Sequence, residues 1–308
     1  MSGEPRSAVR DEDVADLLKG AVDLHVHSGP SVMPRILDHY DAMTDAAQAG
    51  FRAIVYKDHY YPGMAHAQLL ERLYPELGVR LFSGVALNNA VGGINRYAVD
   101  HCIKLGGKIV WMPTFSAANH IEKYRKKSKD ALHFPSTREK MVEPTPLTVL
   151  DANGQLTDET KVILDLIAEA DIILAGGHLH VSELALLFEE AKRRGVKKIM
   201  VNHPTYLIDC SDEDIRSFAR MGVYLEHSIC MFVPSRVKFW EPAELKRLID
   251  VAGVDMTILG SDLGLTEAPR PVDGYRQIVR SLLELQVPAT DVRKLVATNA
   301  ARLLGLND

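Results

Sequence analysis

The strongest constraint on this chain is a repeat of pattern rather than of residues. A helical stretch closed by Gly or Pro is followed by a short apolar run, and the unit recurs along the whole sequence. The apolar runs lie at 21–27, 52–57, 79–85, 108–113, 172–178, 198–204, 222–227 and 256–262. Each is short enough for a strand and apolar on both faces, as a strand buried between layers must be. The stretches between them carry helical spacing and end at Gly50, Gly78, Gly195 or Gly222, where a left-handed turn suits glycine. Strands alternating with helices imply right-handed parallel crossovers. Eight of them in about 250 residues predict an α/β fold of the (β/α)8 barrel type rather than an open sheet. No Gly-x-Gly-x-x-Gly follows the first run, which disfavours a dinucleotide-binding sheet.

This reading makes residues 1–20 a tail with a short helix over Asp11–Lys19, and 21–308 a single barrel. One irregular insertion, 116–157, follows strand four. It carries Lys123, Arg125, Lys126, Lys127 and Lys129, then an expected hairpin over Thr148–Leu156 turning at Asn153-Gly154. Those cations are either a lid that greets an anionic substrate or a solvated helix face.

Composition narrows the partners. The 308 residues are 46% hydrophobic and 25% charged with a net charge of −5, so a polyanion is not the expected ligand and a small molecule is. Cys102, Cys210 and Cys230 are odd in number and far apart, which fits reduced structural thiols. The polar N-terminus lacks a signal-peptide core and no run reaches membrane-spanning length, so a cytoplasmic protein without membrane contact is expected. The outer helices are compatible with a homo-oligomer without requiring one.

Barrel chemistry sits at the carboxyl ends of the strands, and those ends are where the reactive residues fall. His25 and His27 end strand one, sharing one face at a spacing of two. Lys57 and His59 end strand two, His178 strand five, His203 strand six, His227 strand seven and Asp262 strand eight. Six of the twelve histidines occupy such ends, which argues for a site rather than chance placement. Three histidines and an aspartate around one axis can hold a divalent metal and leave a position for water. His59 and His227 are expected to contact substrate or support the ligands. His180 repeats the spacing after His178 but runs into a helix start, so it is either a site residue or a loop histidine. His39, His66, His101, His120 and His133 read as surface or packing residues. Arg35, Arg236 and Arg270 fall on loops at the mouth and are either solvated or carboxylate-binding.

Taken together, His25-x-His27, Gly177-His178, Asn202-His203-Pro204, Ser261-Asp262 and the closing Thr298-Asn299-Ala300-Ala301-Arg302-Leu303-Leu304-Gly305-Leu306 resemble the amidohydrolase superfamily over nearly the whole chain. The resemblance implies metal contacts from His25, His27, His178 and Asp262. It implies that Asp262 is also the general base, and that His203 polarises substrate or binds a second metal. Binuclear members carry a carboxylated lysine at the end of strand four; Val110-Trp111-Met112-Pro113 has none, which favours one ion. Zn2+ is expected, with Mn2+, Fe2+ and a two-metal site left open. Lys57 is expected to hydrogen-bond substrate or Asp262, with a bridging role as the alternative. The expected reaction is hydrolysis of an amide, cyclic amide or ester-like bond in a small polar metabolite. Relatives with this ligand set also include decarboxylases. Lys57-Asp58-His59 resembles the polymerase-and-histidinol-phosphatase phosphoesterases, but their acidic ligand near strand three has no counterpart in Val85-Ala86-Leu87-Asn88-Asn89.

Overall fold

The computed structural model describes residues 8–126, 137 and 139–306. Eight parallel strands run in sequence order: β1 (Val22–Val26), β2 (Ala53–Tyr56), β3 (Arg80–Ala86), β4 (Ile109–Trp111), β5 (Ile173–Ala175), β6 (Ile199–Asn202), β7 (Tyr224–Ser228) and β8 (Thr257–Gly260). The backbone beyond β8 closes the ring onto β1. Asp262 N donates to the His25 carbonyl at 2.7 Å and His27 N to the Leu263 carbonyl at 2.9 Å. The Asp23 carboxylate adds to this seam by accepting from the amides of His25 and Ser261, both at 2.9 Å. This is the expected (β/α)8 barrel.

Both faces of the strands are apolar because both are covered. Val22, Leu24, Val55, Ile109, Ile173, Met200 and Ile258 fill the barrel interior, while Ile54, Val110, Leu174, Val201, Leu225 and Leu259 pack outward with the helix layer. The interior is plugged from below by Ala300, Leu303 and Leu304 of the helix Asn299–Leu304. Asn299 anchors that helix by donating to the carbonyls of Val254 and Thr257 at 2.8 Å each.

The register of β1 positions the site. Asp23 pairs with Ile54 and Val26 with Tyr56, so Leu24 and His25 together face Val55 alone. This bulge lets Leu24 enter the interior core and still turns His25 and His27 inward above it, a re-aiming that β-bulges commonly perform beside active sites.

Two local expectations change. The helical stretch expected to end at Gly78 is two pieces, Met64–Leu73 and a 3-10 turn Pro75–Leu77, because Pro75 cannot continue the α-helical hydrogen bonds. The expected hairpin shrinks to one bridge, Leu150 to Leu156. There the Asp151 carboxylate takes the amides of Asn153 and Gln155, so side-chain bonds replace a strand ladder. Of the basic cluster, Lys123, Arg125 and Lys126 lie on the helix Ala118–Lys126, whereas Lys127, Lys129 and His133 lie outside the described residues. Among the described residues no helix is long and apolar enough to cross a membrane, and all three cysteines are buried and free.

Candidate active site

His25, His27 and Asp262 meet at the carboxyl ends of β1 and β8, and their ligand atoms lie within 4.8 Å of one another. Asp262 Oδ1 is 3.2 Å from His25 Nε2 and 3.0 Å from His27 Nε2. The other nitrogen of each ring is already engaged. His27 Nδ1 faces the Lys57 carbonyl at 2.8 Å, and a carbonyl can only accept, so the proton sits on Nδ1 and the Nε2 lone pair points into the site. His25 Nδ1 lies 3.1 Å from Glu226 Oε2, a carboxylate that fixes the ring in the same sense. Two imidazole lone pairs converging on one carboxylate oxygen form a donor set that fits a divalent cation.

Glu226 is the residue that sequence reasoning missed. It projects inward from β7 and also accepts from the Asn202 amide and, at 3.2 Å, from the Ser228 hydroxyl. The neighbouring β8 position must be glycine, since a Cβ at Gly260 would lie 2.6 Å from Glu226 Oε1. Burial alone would raise Glu226, yet its interaction with the hydrogen-bonded His25 ring holds it below the usual carboxylate range. Burial likewise opposes ionisation of Asp262, and His25 and His27 hold it well below that range. His27 goes the other way, pushed down to about 3 chiefly by burial.

Lys57 points its Nζ at His25 Nε2, 3.0 Å away, and over the Trp111 ring at 5.5 Å. Burial lowers its pKa, opposed by Asp262 and Glu226. His59 is sandwiched between His27 and Phe115, with ring centroids 5.0 and 3.8 Å away, and its Nδ1 meets Thr114 Oγ1 at 2.9 Å.

His178 and His203 stand on the far side, their ring centroids 5.0 Å apart. His178 follows Gly177, where a Cβ would come within 2.2 Å of the Met112 carbonyl and φ is 62°, so strand five can end this tightly only on glycine. His178 Nδ1 lies 2.8 Å from His120 Nδ1, and the two rings stack. His120 is therefore a buried residue of the helix Ala118–Lys126 that packs behind His178, the second of the two readings offered for it. Asn119 fastens the same helix by donating to the carbonyls of His178 and Leu207 at 3.0 and 2.8 Å, and Lys123 pairs with Asp209. His203 turns inward through a left-handed backbone with φ of 33°. Its Nδ1 faces the Tyr206 carbonyl at 3.3 Å, and burial pushes its pKa down to about 4. In the neutral ring this leaves Nε2 as an acceptor, suited to a ligand or a proton acceptor.

His27, Lys57, His59, His178, His203 and Asp262 line one cavity together with Met33, Phe115 and Leu265. Room for the centre of a water-sized sphere is about 10 Å³ there, enough for about one water or ion. Three expected site residues do not line it: His25, which adjoins it through Asp262 at 3.2 Å and Lys57 at 3.0 Å, and His227 and His180. His227 follows the inward Glu226 by one position, so the pleat turns it outward toward the helix layer, where Glu244 is a charged neighbour and its buried Nε2 has no partner among the described residues. His180 caps the helix Val181–Arg193, accepting from Ser182 N at 3.3 Å while Glu183 reaches back to its amide. Asp58 is also turned aside, its carboxylate held by the Ser31 hydroxyl at 2.6 Å and the Tyr60 amide at 2.8 Å.

A family model described as a family of unknown function, DUF6282, matches residues 20–226, more than half of the chain. A search of curated protein sequences gives no significant match. Among solved structures, an amidohydrolase from Pseudomonas aeruginosa is 14% identical, with a TM-score of 0.61 over 95% of this chain and 97% of that one. The probable dipeptidase PvdM from the same organism is 11% identical, with a TM-score of 0.63 over 96% and 97%. A dihydroxybenzoic acid decarboxylase from Polaromonas sp. JS666, solved with manganese and the inhibitor 2-nitroresorcinol, is 12% identical, with a TM-score of 0.55 over 94% and 98%. At these identities the likeness to amidohydrolase-superfamily structures is one of fold.

Proposed function

We propose that this chain, which belongs to the DUF6282 family, is a metal-dependent hydrolase of the amidohydrolase superfamily that cleaves an amide, cyclic amide or ester-like bond in a small polar metabolite. The observation that carries the reading is the convergence of His25 Nε2, His27 Nε2 and Asp262 Oδ1 with both Nδ1 atoms already engaged. His25, His27 and Asp262 would hold one ion, Zn2+ in the first instance, with His178 completing the set. When bound, such an ion polarises the oxygen under attack and lowers the pKa of water to about 7. Trp111 supports a single ion, because a buried indole stands at the end of β4 where a bridging lysine would be needed.

The remaining chemistry belongs to the side chains. Asp262 accepts the proton of the attacking water and returns it to the leaving nitrogen or oxygen. Lys57 lines the cavity with donors and is the group best placed to hydrogen-bond the oxygen that gains charge. His203 contributes the Nε2 acceptor opposite, and His59 fills the wall beside His27. The cavity is too small for a substrate as it stands, so Met33 or Phe115 must move on binding.

The test is a metal count per chain for the purified protein and for His25→Ala, followed by product screening against candidate amides, lactams and esters. About one divalent ion in the wild type, lost in the variant, with release of ammonia, an amine or a carboxylate, is the expected result. Carbon dioxide as the product would replace hydrolysis by decarboxylation, and no ion after reconstitution would remove the reading.

A further inference from the structure

Arg35 sits on the loop after β1, bridged through its backbone to Leu265, with its side chain turned inward and only 3% exposed. Among the described residues its Nε and Nη1 are buried without a hydrogen-bond partner. Nη2 lies 3.4 Å from His27 Nδ1, but that nitrogen already donates its proton to the Lys57 carbonyl, so it has no lone pair to give. The adjacent carboxylate, Asp58 Oδ2, is 3.9 Å away, beyond hydrogen-bond reach, and is taken by the Ser31 hydroxyl. A guanidinium carries five N–H donors in a planar fork, and burying one with its donors unmet is costly. The ion pair with Asp58 at 3.9 Å offsets part of that cost, but it leaves Nε and Nη1 without an acceptor.

The location says what the fork is for. Arg35 touches His27, and the residue two before it, Met33, and its bridge partner, Leu265, both line the cavity that holds Asp262. Met33 is the flexible element of that wall, able to move aside without breaking a hydrogen-bonded frame. A carboxylate presents two coplanar oxygens that match the guanidinium fork bidentately. We propose that Arg35 binds a carboxylate of the substrate, which makes the substrate class small carboxylic acids whose reacting bond lies beside His27 and Asp262. This rests on the active-site reading above and narrows it.

The experiment uses the full chain in its metal-loaded form and malonate as the probe, with malonamide as its uncharged counterpart and inorganic phosphate as the competing anion. Calorimetric titration is expected to give malonate binding to the wild type and none for malonamide. Arg35→Gln should weaken malonate about tenfold or more at unchanged metal content, the loss expected for a charge-assisted hydrogen-bond pair. Arg35→Lys keeps the charge but not the fork and should fall between the two. Arg35→Met removes the same donors and should bind malonate no better than Arg35→Gln. Equal malonate affinity in Arg35→Gln overturns the proposal, as does absence of malonate binding to the wild type. Arg35-dependent binding that favours phosphate over malonate makes this a phosphate site. The two readings fail separately. A chain without metal that still shows Arg35-dependent malonate binding loses only the hydrolase, and a chain with metal whose malonate binding ignores Arg35 loses only the carboxylate pocket.

Discussion

On the β1, β7 and β8 side of the site, His25 and Glu226 hang from their strands, while His27 and Asp262 follow just past the ends of β1 and β8, where backbone hydrogen bonds sew the two strands together. Asp262 N reaches the His25 carbonyl, His27 N reaches the Leu263 carbonyl, and the Asp23 carboxylate ties both strands. On the β5 and β6 side, His178 and His203 come after their strands have ended. Backbone bonds from His178 N to the Pro113 carbonyl at 2.9 Å and from His203 N to the Glu226 carbonyl at 2.7 Å hold them as well, and a glycine turn before His178 and a helix docked on it complete the placement. The two sides also support their histidines with different chemistry. Glu226, a carboxylate, holds His25 Nδ1, and His120, an imidazole, holds His178 Nδ1. A fixed corner suits an ion and a base whose geometry must not drift, whereas a side held by loops can adjust to a substrate.

Removing the proposed base should produce the largest effect. Asp262→Asn keeps an oxygen between the two Nε2 atoms, so metal content should stay close to that of the wild type while turnover of an identified substrate falls roughly 10²–10⁴-fold. Full turnover in that variant would move the proton to His203 and make the loop side the catalytic one. The next effect comes from the support beneath His25. Glu226→Gln fits the space beside Gly260 but replaces the carboxylate that orients the ring, and metal affinity measured against a competing chelator should drop about 10–100-fold. Unchanged affinity would mean that the backbone seam alone keeps the corner rigid.

The same division decides what could be read in the sequence. Strand ends are visible as the last residues of apolar runs, so His25, His27, His178, His203 and Asp262 could all be assigned to one rim from residue type and position. Which residue of a pair faces inward depends on register, and that is where reading failed. Glu226 and His227 differ by one position, and β7 turns the glutamate in. The bulge opposite Val55 is similarly invisible, because an extra residue in β1 leaves no mark in its apolar pattern. His180 could have been excluded, since Glu183 three residues on forms a capping box with it. His120 could not have been placed, because its contact with His178 spans 58 residues and depends on how the insertion helix docks. Arg35 lay between solvation and ligand binding until its inward turn was known.

His120 gives the finest test of the contrast between the two sides. One of the two facing Nδ1 atoms must carry the proton, and when His178 donates it, the His178 Nε2 lone pair is left for the cavity. His120→Phe preserves the stack on His178 and against Tyr124 but removes the acceptor. A neutral hydrogen bond contributes less than one to a carboxylate, so metal affinity should fall only roughly two- to tenfold, less than for Glu226→Gln. His120→Gln restores an acceptor and should recover part of the loss, which a purely packing role for the ring would not produce. Equal losses in the His120 and Glu226 variants would mean that His178 is held as tightly as His25, and that the loop side is no more adjustable than the strand side. A smaller, rescuable loss would make the insertion helix a support that tunes the fourth ligand while the strand corner holds the ion.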